Sequence, residues 1–364
     1  MLPLISRQWA RMLGGPSAAW EKVDIDTYND FPYDVKPDVS AVIGWFHRRV
    51  GSIQNLQILS EGSDYRPTTE TPALPASLLS ALLDSQAPSL RVMQLDMVAV
   101  MLSTAGLSRL TSVANNLEDL VLKIRSYEGC CWDDHGSEVI QTLSKLPALT
   151  ELTLEGTAGT LTELPTVSEL ANFCSTSLTG MTWHMYSAED STLTVGSLPA
   201  LVNCSLCWEP DYISSSHHYG PHHALNVTPA SFSVAARLTR LHIEGPRPLV
   251  LAPCCFDGLS QLVKLYLCDC RLLVVPAALA GVGKTLQLLD LYDNAKLQIH
   301  QSGYDTLMSL SVLKHINMEN YTEHCGDHST EMSHWSICSV QFLSRFVFEW
   351  CKLRPGVTAP TLMV

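Results

Sequence analysis

The sequence of 364 residues has little positive charge and no long hydrophobic run. It contains 23 Lys and Arg residues against 36 Asp and Glu residues, which gives a formal net charge of -13 at pH 7. A broad basic surface is what neutralises the phosphates of nucleic acids, so this deficit argues against a nucleic-acid partner. The longest apolar run, 272–283, has 12 residues and includes Pro276. A helix that crosses a bilayer needs about 20 residues, so we expect no membrane partner.

The first 15 residues also lack the features of a secretory signal. Arg7 and Arg11 interrupt the apolar pattern of this segment, and no small-residue cleavage site follows it. We therefore expect a soluble protein of the cytoplasm, the nucleus or both. Such compartments keep thiols reduced, so the 12 cysteines are expected to pack in the interior rather than to form a disulfide framework.

The chain does contain a recurring apolar frame, L-x-x-L-x-L, in which the first, fourth and sixth positions are apolar. Its ten copies begin at residues 53, 90, 117, 149, 178, 201, 238, 262, 286 and 313. Six of the nine intervals between these starting points lie between 20 and 29 residues. No single unit of this length can bury its own apolar face, so neighbouring units are expected to stack.

Two adjacent copies, 262–272 and 286–297, extend the frame by placing Cys270 and Asn294 at its ninth position. They match the pattern L-x-x-L-x-L-x-x-[N/C]-x-L, except that the last leucine of the second copy, Leu297, comes one residue late. On these residues, and on the intervals between copies, the chain resembles the leucine-rich-repeat family. The resemblance implies that the ninth side chain hydrogen-bonds the turn that leaves each strand.

We therefore predict an α/β fold, a leucine-rich-repeat solenoid whose curved parallel sheet carries helices and turns on its convex side. The solenoid is predicted over residues 37–333, with insertions near 60–75, 125–136 and 208–227. A short α-helical segment precedes it at residues 1–28. A C-terminal cap and tail follow it at residues 334–364.

The N-terminal segment resembles the second half of an F-box. It reads L-I-S-R-x-W-x-x-x-L, followed by P-x-x-x-W-x-x-V-D-I, and the matching residues are Leu4, Ile5, Ser6, Arg7, Trp9 and Trp20. The resemblance implies docking on the Skp-type adaptor of a cullin-RING ubiquitin ligase. The adaptor-binding residues that it implies are Leu4, Ile5, Trp9, Leu13 and Trp20.

The first F-box helix, which family members open with L-P and a Leu-rich run, would precede Met1. We therefore interpret residues 1–28 as the C-terminal half of an F-box that lies directly ahead of the repeats. An alternative is that Ile5, Trp9 and Trp20 cover the exposed first edge of the solenoid, because terminal repeats require such a cap.

A protein partner is expected on the concave side of the sheet. Side chains alternate across a strand, so positions three, five and seven face away from the core and position eight lies at the rim. There, aromatic side chains lie among charges of both signs, as they do in protein-binding hot spots. The candidate contact residues are Trp208, Arg240, His242, Glu244, Lys264, Tyr266, Asp269, Asp290, Tyr292, Asp293, His315 and Glu319. The alternative is a solvated polar surface that keeps the array soluble.

Two segments resemble ligand sites but fit them poorly. The motif GVGKT at 281–285 has Ala278 where a phosphate loop needs its first glycine, and it precedes a predicted strand instead of a helix. The four histidines within 217–223 fall in an insertion rich in Ser, Pro and Gly, without the ligand spacing of a structural zinc site. We therefore predict no cofactor and no metal.

Two pairs of reactive side chains also lack the partners that catalysis needs. Cys204 and Cys207 have redox spacing, but they are expected to face opposite sides of one strand. His242 and Glu244 share a face without a nucleophile, an oxyanion loop or a metal cluster beside them. We predict no catalytic residues and a protein that is not an enzyme.

These observations lead to one functional hypothesis and one alternative. The resemblance implies a substrate-recognition subunit of a Skp-cullin-F-box E3 ubiquitin ligase, a monomer outside that complex, with an unknown protein substrate on the concave face. Such a receptor raises the local concentration of its substrate and performs no chemistry itself. The alternative is a leucine-rich-repeat interaction scaffold with no link to the ligase.

Overall fold

The structure is a computed structural model with two compact units, residues 1–164 and 165–364. It describes residues 22–26, 39–59, 80–82, 84–85, 87–98, 104–125, 136–156, 167–185, 191–208, 224–318 and 336–337. The five predicted adaptor-binding residues, Leu4, Ile5, Trp9, Leu13 and Trp20, lie outside these ranges.

The described residues of the first unit include five strands, and neighbouring strands along the chain pair in parallel. They are β1 (Lys22–Asp26), β2 (Asn55–Leu59), β3 (Val92–Val98), β4 (Asp119–Arg125) and β5 (Glu151–Gly156). The helices that connect them are α1 (Val39–Arg49), the 3-10 helix η1 (Val50–Ser52), α2 (Thr104–Val113) and α3 (Gly136–Leu143).

Apolar side chains of these helices are buried in the core. Trp45 and Phe46 of α1, Leu110 of α2 and Ile140 and Leu143 of α3 are all at most 4% exposed. Apolar residues spaced three or four apart lie on one helical face, so a short helix can bury them together. Full burial of one such side chain stabilises the fold by about 2 kcal/mol.

Among the described residues of the second unit, a main sheet has six parallel strands followed by one antiparallel strand. They are β6 (Gly180–Met185), β8 (Asn203–Trp208), β10 (Arg240–Glu244), β12 (Lys264–Cys268), β13 (Leu288–Asp290), β14 (His315–Asn317) and the antiparallel β15 (Ser336–Ile337). A small parallel sheet contains β7 (Ser191–Thr192), β9 (Leu225–Val227) and β11 (Leu249–Leu251). The helices are α4 (Val167–Asn172), the 3-10 helix η2 (Ala277–Val282) and α5 (Gln301–Ser309).

The ten copies of the apolar frame correspond one to one with ten of these strands. Each strand of the main sheets from β2 to β14 begins at the third position of its copy. Every side chain at a first, fourth or sixth position is at most 8% exposed. Leu241, Leu265 and Leu289 lie directly opposite one another on three consecutive strands, and all are fully buried. The predicted fold class, an α/β leucine-rich-repeat solenoid, is confirmed.

The predicted role of the ninth position is also confirmed. Asn294 is fully buried, and its Oδ1 accepts hydrogen bonds from the backbone N–H groups of Cys270 at 3.1 Å and Leu272 at 3.0 Å. Its Nδ2 donates to the carbonyl oxygens of Leu267 and Leu291, both at 2.8 Å. Buried backbone N–H and C=O groups need hydrogen-bond partners. The amide side chain of Asn294 provides these partners for two neighbouring repeats.

Cys270 has a similar role in the repeat before. Its thiol donates to the carbonyl oxygens of Ile243 at 3.3 Å and Cys268 at 3.2 Å, so it joins β10 to the turn after β12. Burial raises the pKa of the Cys270 thiol well above its ordinary value, which keeps the thiol protonated and able to donate.

The structure corrects the boundary of the predicted N-terminal helical segment, 1–28. Residues 22–26 form strand β1, which pairs in parallel with β2. In the sequence, Trp20, Val23 and Ile25 repeat the apolar frame, and Val23 is 1% exposed. We missed this copy because we interpreted the same residues as the end of an F-box.

Two further sequence features can be located. The C-terminal part of the insertion predicted near 208–227 is strand β9, which belongs to the small parallel sheet. The GVGKT motif begins within the last two residues of the 3-10 helix η2 and precedes strand β13, the opposite of the strand–loop–helix order of a phosphate loop. Among the described residues, no helix has the length and apolar character that a membrane span requires.

Candidate protein-binding surface

The candidate surface is one face of the main sheet of the second unit, on β8, β10, β12, β13 and β14. Along each strand, the third, fifth and seventh positions of the repeat alternate with buried apolar residues. Parallel pairing places equal positions of neighbouring repeats side by side, so Arg240 lies beside Lys264 and His242 beside Tyr266. We call the exposed and half-buried side chains at these positions the ladder face; Cys268, at the seventh position of the β12 repeat, is buried and does not belong to it. Its residues are Asn203, Ser205, Cys207, Arg240, His242, Glu244, Lys264, Tyr266, Leu288, Asp290, His315 and Asn317.

An aromatic cluster lies at the centre of the ladder face. The guanidinium of Arg240 lies over the ring of Tyr266, 4.9 Å from its centroid. The rings of His242 and Tyr266 meet edge to face, with centroids 5.6 Å apart and planes at 73°. A cation–π contact at such a site contributes about 0.5–1 kcal/mol. Together with the edge-to-face contact, it favours one arrangement of the Arg240, His242 and Tyr266 side chains.

His242 has a polar neighbour on each side of its ring. Its Nδ1 lies 3.0 Å from the hydroxyl of Ser205, and its Nε2 lies 3.3 Å from Oε2 of Glu244. Partial burial lowers the pKa of His242, and Arg240 lowers it further, although the carboxylates of Glu244 and Asp290 oppose the shift. The ring is therefore neutral at neutral pH, and its contact with Glu244 is a hydrogen bond rather than an ion pair.

Asp269 and Asp293 occupy the eighth position of consecutive repeats. Both adopt a left-handed backbone, with φ of 50° and 57°, which Asp tolerates better than most residues. Burial raises the pKa of Asp269 to about 6, and the nearby Asp293 carboxylate adds to the shift. These two predicted contact residues thus form an acidic edge beside the ladder face.

Trp208 is a correction to the predicted surface. It also occupies an eighth position, but it is only 5% exposed and cannot act as a surface anchor. Gly245, at the same position of the next repeat, makes this burial possible, because a Cβ on Gly245 would lie 2.2 Å from Cβ of Trp208. The indole Nε1 of Trp208 has no hydrogen-bond acceptor among the described residues.

The remaining predicted contact residues are more dispersed. Lys264 and His315 are exposed at third positions of β12 and β14. Asp290 is half-buried and accepts a hydrogen bond from the backbone N–H of Tyr292 at 2.9 Å. Glu319 lies outside the described residues. The structure thus brings Arg240, His242, Glu244 and Tyr266 together.

Ser205 and Cys207 occupy the fifth and seventh positions of the repeat that begins at 201, on the predicted concave face, but the candidate contact residues do not include them. Cys204 and Cys207 face opposite sides of β8 as predicted, with Cys204 in the core and Cys207 on the ladder face. Alignment of the repeats that begin at 201 and 238 would have placed Cys207 beside Glu244, and these residues are indeed direct partners. One ligand atom each of Cys207, His242 and Glu244 lies within 4.8 Å of the other two.

Comparisons with known proteins add little to this surface. No family model matches the chain, and no curated protein matches it. Among solved structures, the chain is similar to the leucine-rich-repeat-containing protein LegL7 from Legionella pneumophila. The two are 14% identical with a TM-score of 0.31, and the match covers 80% of this chain and 97% of that one. A likeness this distant does not bear on function.

Proposed function

We propose that the chain is a protein-interaction module that binds a protein partner on the ladder face. The observation that supports this proposal is the Arg240–Tyr266–His242 cluster, in which the guanidinium lies 4.9 Å from the Tyr266 ring centroid and the two rings are 5.6 Å apart. Tyr and Arg carry much of the binding energy in protein interfaces.

The cluster is already ordered before a partner arrives. Ordering a flexible side chain on binding costs about 0.5–1.5 kcal/mol, and the contacts on Tyr266 reduce this cost for Arg240 and His242. Lys264 adds a positive charge on one side, and Asp290, Asp269 and Asp293 add negative charges on the other. A partner with complementary charges would be oriented by this gradient.

The test is the simultaneous replacement Arg240→Ala and Tyr266→Ala in the full chain. Loss of two central anchors is expected to weaken partner binding by about 30-fold or more, equivalent to about 2 kcal/mol. Partners are identified by photo-crosslinking from position 264, and their affinity is then measured with purified components.

The matched control is Arg237→Ala combined with Tyr304→Ala, since both residues lie outside the ladder face. The control should bind as the unchanged chain does. Unchanged affinity in the Arg240/Tyr266 variant, with an unchanged circular dichroism spectrum, would contradict the proposal.

A finer proposal is that the module selects substrates for a Skp-cullin-F-box ubiquitin ligase. Its support is the sequence match at Leu4, Ile5, Trp9 and Trp20. If it is right, a Skp-type adaptor co-purifies with the full chain, and Trp9→Ala removes it. Absence of the adaptor, also after restoration of an upstream L-P helix, would leave an interaction scaffold without a ligase role.

A further inference from the structure

Three side chains with different metal-binding groups meet on the ladder face. Glu244 of β10 and Cys207 of β8 are direct partners in the parallel ladder, and His242 lies two residues before Glu244 on the same face. The thiol, one imidazole nitrogen and one carboxylate oxygen lie within 4.8 Å of one another. Because two paired strands position all three, their relative placement is rigid.

The distance between the ligand atoms of His242 and Glu244 is close to the spacing of two ligands on one zinc ion. Zn–S bonds of about 2.3 Å and Zn–N and Zn–O bonds of about 2.0–2.2 Å, at tetrahedral angles, place ligand atoms roughly 3.4–3.6 Å apart. Nε2 of His242 already lies 3.3 Å from Oε2 of Glu244. The thiol of Cys207 lies within 4.8 Å of the other two ligand atoms, and zinc-ligand spacing requires rotation of side chains that are half-exposed at Cys207 and exposed at Glu244.

Ser205 supplies the outer contact that metal-binding histidines usually have. Its hydroxyl lies 3.0 Å from Nδ1 of His242 and 3.8 Å from the thiol of Cys207. In the metal-free chain Nε2–H of His242 faces the Glu244 carboxylate. A hydroxyl can accept as well as donate, so in the metal-bound chain Ser205 can accept a hydrogen bond from Nδ1–H, which leaves the Nε2 lone pair for the metal.

The charge of the three groups suits a divalent ion. A Cys207 thiolate and the Glu244 carboxylate together carry two negative charges, which balance the two positive charges of the metal. Binding releases one proton, from the Cys207 thiol. Arg240, on the same strand as His242 and Glu244, carries a positive charge that would repel a metal ion. Its guanidinium lies over the Tyr266 ring.

We propose that Cys207, His242 and Glu244 bind one Zn²⁺ ion. Thiolate, imidazole and carboxylate are the protein ligands that zinc takes, whereas Mg²⁺ and Ca²⁺ prefer oxygen ligands only. Three protein ligands leave a fourth tetrahedral position, which water fills from the exposed side of Glu244. The site goes beyond the proposed protein binding and is tested on the chain alone.

The test measures metal binding by the full chain in which His217, His218, His222 and His223 are replaced by Ser, so that this tract contributes nothing. Zn²⁺ affinity is measured by competition with a chromophoric chelator, and Co²⁺ is used as a spectroscopic probe. We expect one ion per chain, with a thiolate-to-cobalt charge-transfer band in the absorption spectrum.

Three variants give the expected pattern. Cys207→Ser removes the charge-transfer band, and both Cys207→Ser and His242→Gln weaken Zn²⁺ binding by about 100-fold or more. Ser205→Ala keeps the band and weakens binding by about 10-fold, as loss of an outer contact does. The matched controls Cys254→Ser and His315→Gln, on exposed residues away from the trio, leave the affinity unchanged.

Two results would overturn the proposal: a cobalt complex without a thiolate band, or Zn²⁺ binding that survives Cys207→Ser and His242→Gln undiminished. Circular dichroism and urea midpoints of the metal-free variants establish that they fold. Because the measurement involves no partner, its failure would leave the proposed protein binding untouched.

Discussion

Two regions of the second unit close the same type of turn in different ways. After β12 and β13, the buried side chains of Cys270 and Asn294 hydrogen-bond the backbone of the turns. After β8 and β10, Trp208 and Gly245 pack against each other at the eighth position. The first region closes its turns with buried polar contacts, and the second does so by close packing of an indole against a glycine.

The difference shows that burial of the leucine frame and closure of the turn depend on different side chains. In both regions the frame buries its apolar positions, as Leu241 and Leu265 illustrate. The turn must also satisfy backbone groups that leave the ladder, because burial without a partner costs about 1–3 kcal/mol per group. Asn294 achieves this within the core, whereas Trp208 fills volume and leaves its own Nε1 without an acceptor among the described residues.

The polar region is the one that a single change should disrupt most. Asn294→Ala leaves the N–H groups of Cys270 and Leu272 and the carbonyls of Leu267 and Leu291 without their buried partner. We expect the free energy of unfolding to fall by about 4 kcal/mol or more. Urea unfolding measures it, and Asn203→Ala, on an exposed residue, is the control that should change stability by less than about 0.5 kcal/mol.

An equally small loss for both asparagine variants would mean that water replaces the amide. The polar and packed turns would then differ little in strength, and the comparison between the two regions would fail.

The packed region should be sensitive to a single methyl group. Gly245→Ala places a Cβ 2.2 Å from Cβ of Trp208 and forces a side chain onto a residue with φ of 153°. Overpacking and backbone strain together should cost about 3 kcal/mol. Thermal or urea unfolding tests this, with Gly258→Ala as control, because a Cβ at Gly258 meets nothing within 4 Å. Equal effects at the two glycines would show that Trp208 can move aside.

The acidic edge beside the polar turns should give the smallest effect, and it should depend on pH. The folded chain raises the pKa of Asp269 from 3.8 to about 6, so it retains a proton that the unfolded chain has released between these values. Stability therefore falls as pH rises through this window. Asp269→Asn removes this loss and should stabilise the chain by about 0.5–1 kcal/mol at pH 7, after screening by solvent, but not at pH 4.

The control for this prediction is Asp305→Asn on α5, which should show no such pH dependence. Urea midpoints at several pH values distinguish the two variants. A gain at Asp269→Asn that is constant with pH would assign the effect to the turn conformation instead of to charge.

Much of the fold follows from local spacing. The ten copies of the frame located ten strands, since alternation along a strand decides which side chains can be buried together. The missed strand β1 obeys the same rule at Val23, and only the competing F-box interpretation concealed it. The ninth-position roles of Cys270 and Asn294 were also predictable, because they depend on residues of one repeat and its neighbour.

The sequence by itself determined the period of the repeat and the side of each strand that faces the core, because both depend on neighbours along the chain. The tertiary structure decided that Trp208 is buried against Gly245, and that the side chains of Cys207, Ser205, His242 and Glu244 come within a few ångströms of one another. These residues are 37 positions apart in the chain. Their contact depends on the register between strands, which hydrogen bonding fixes only once the repeats stack.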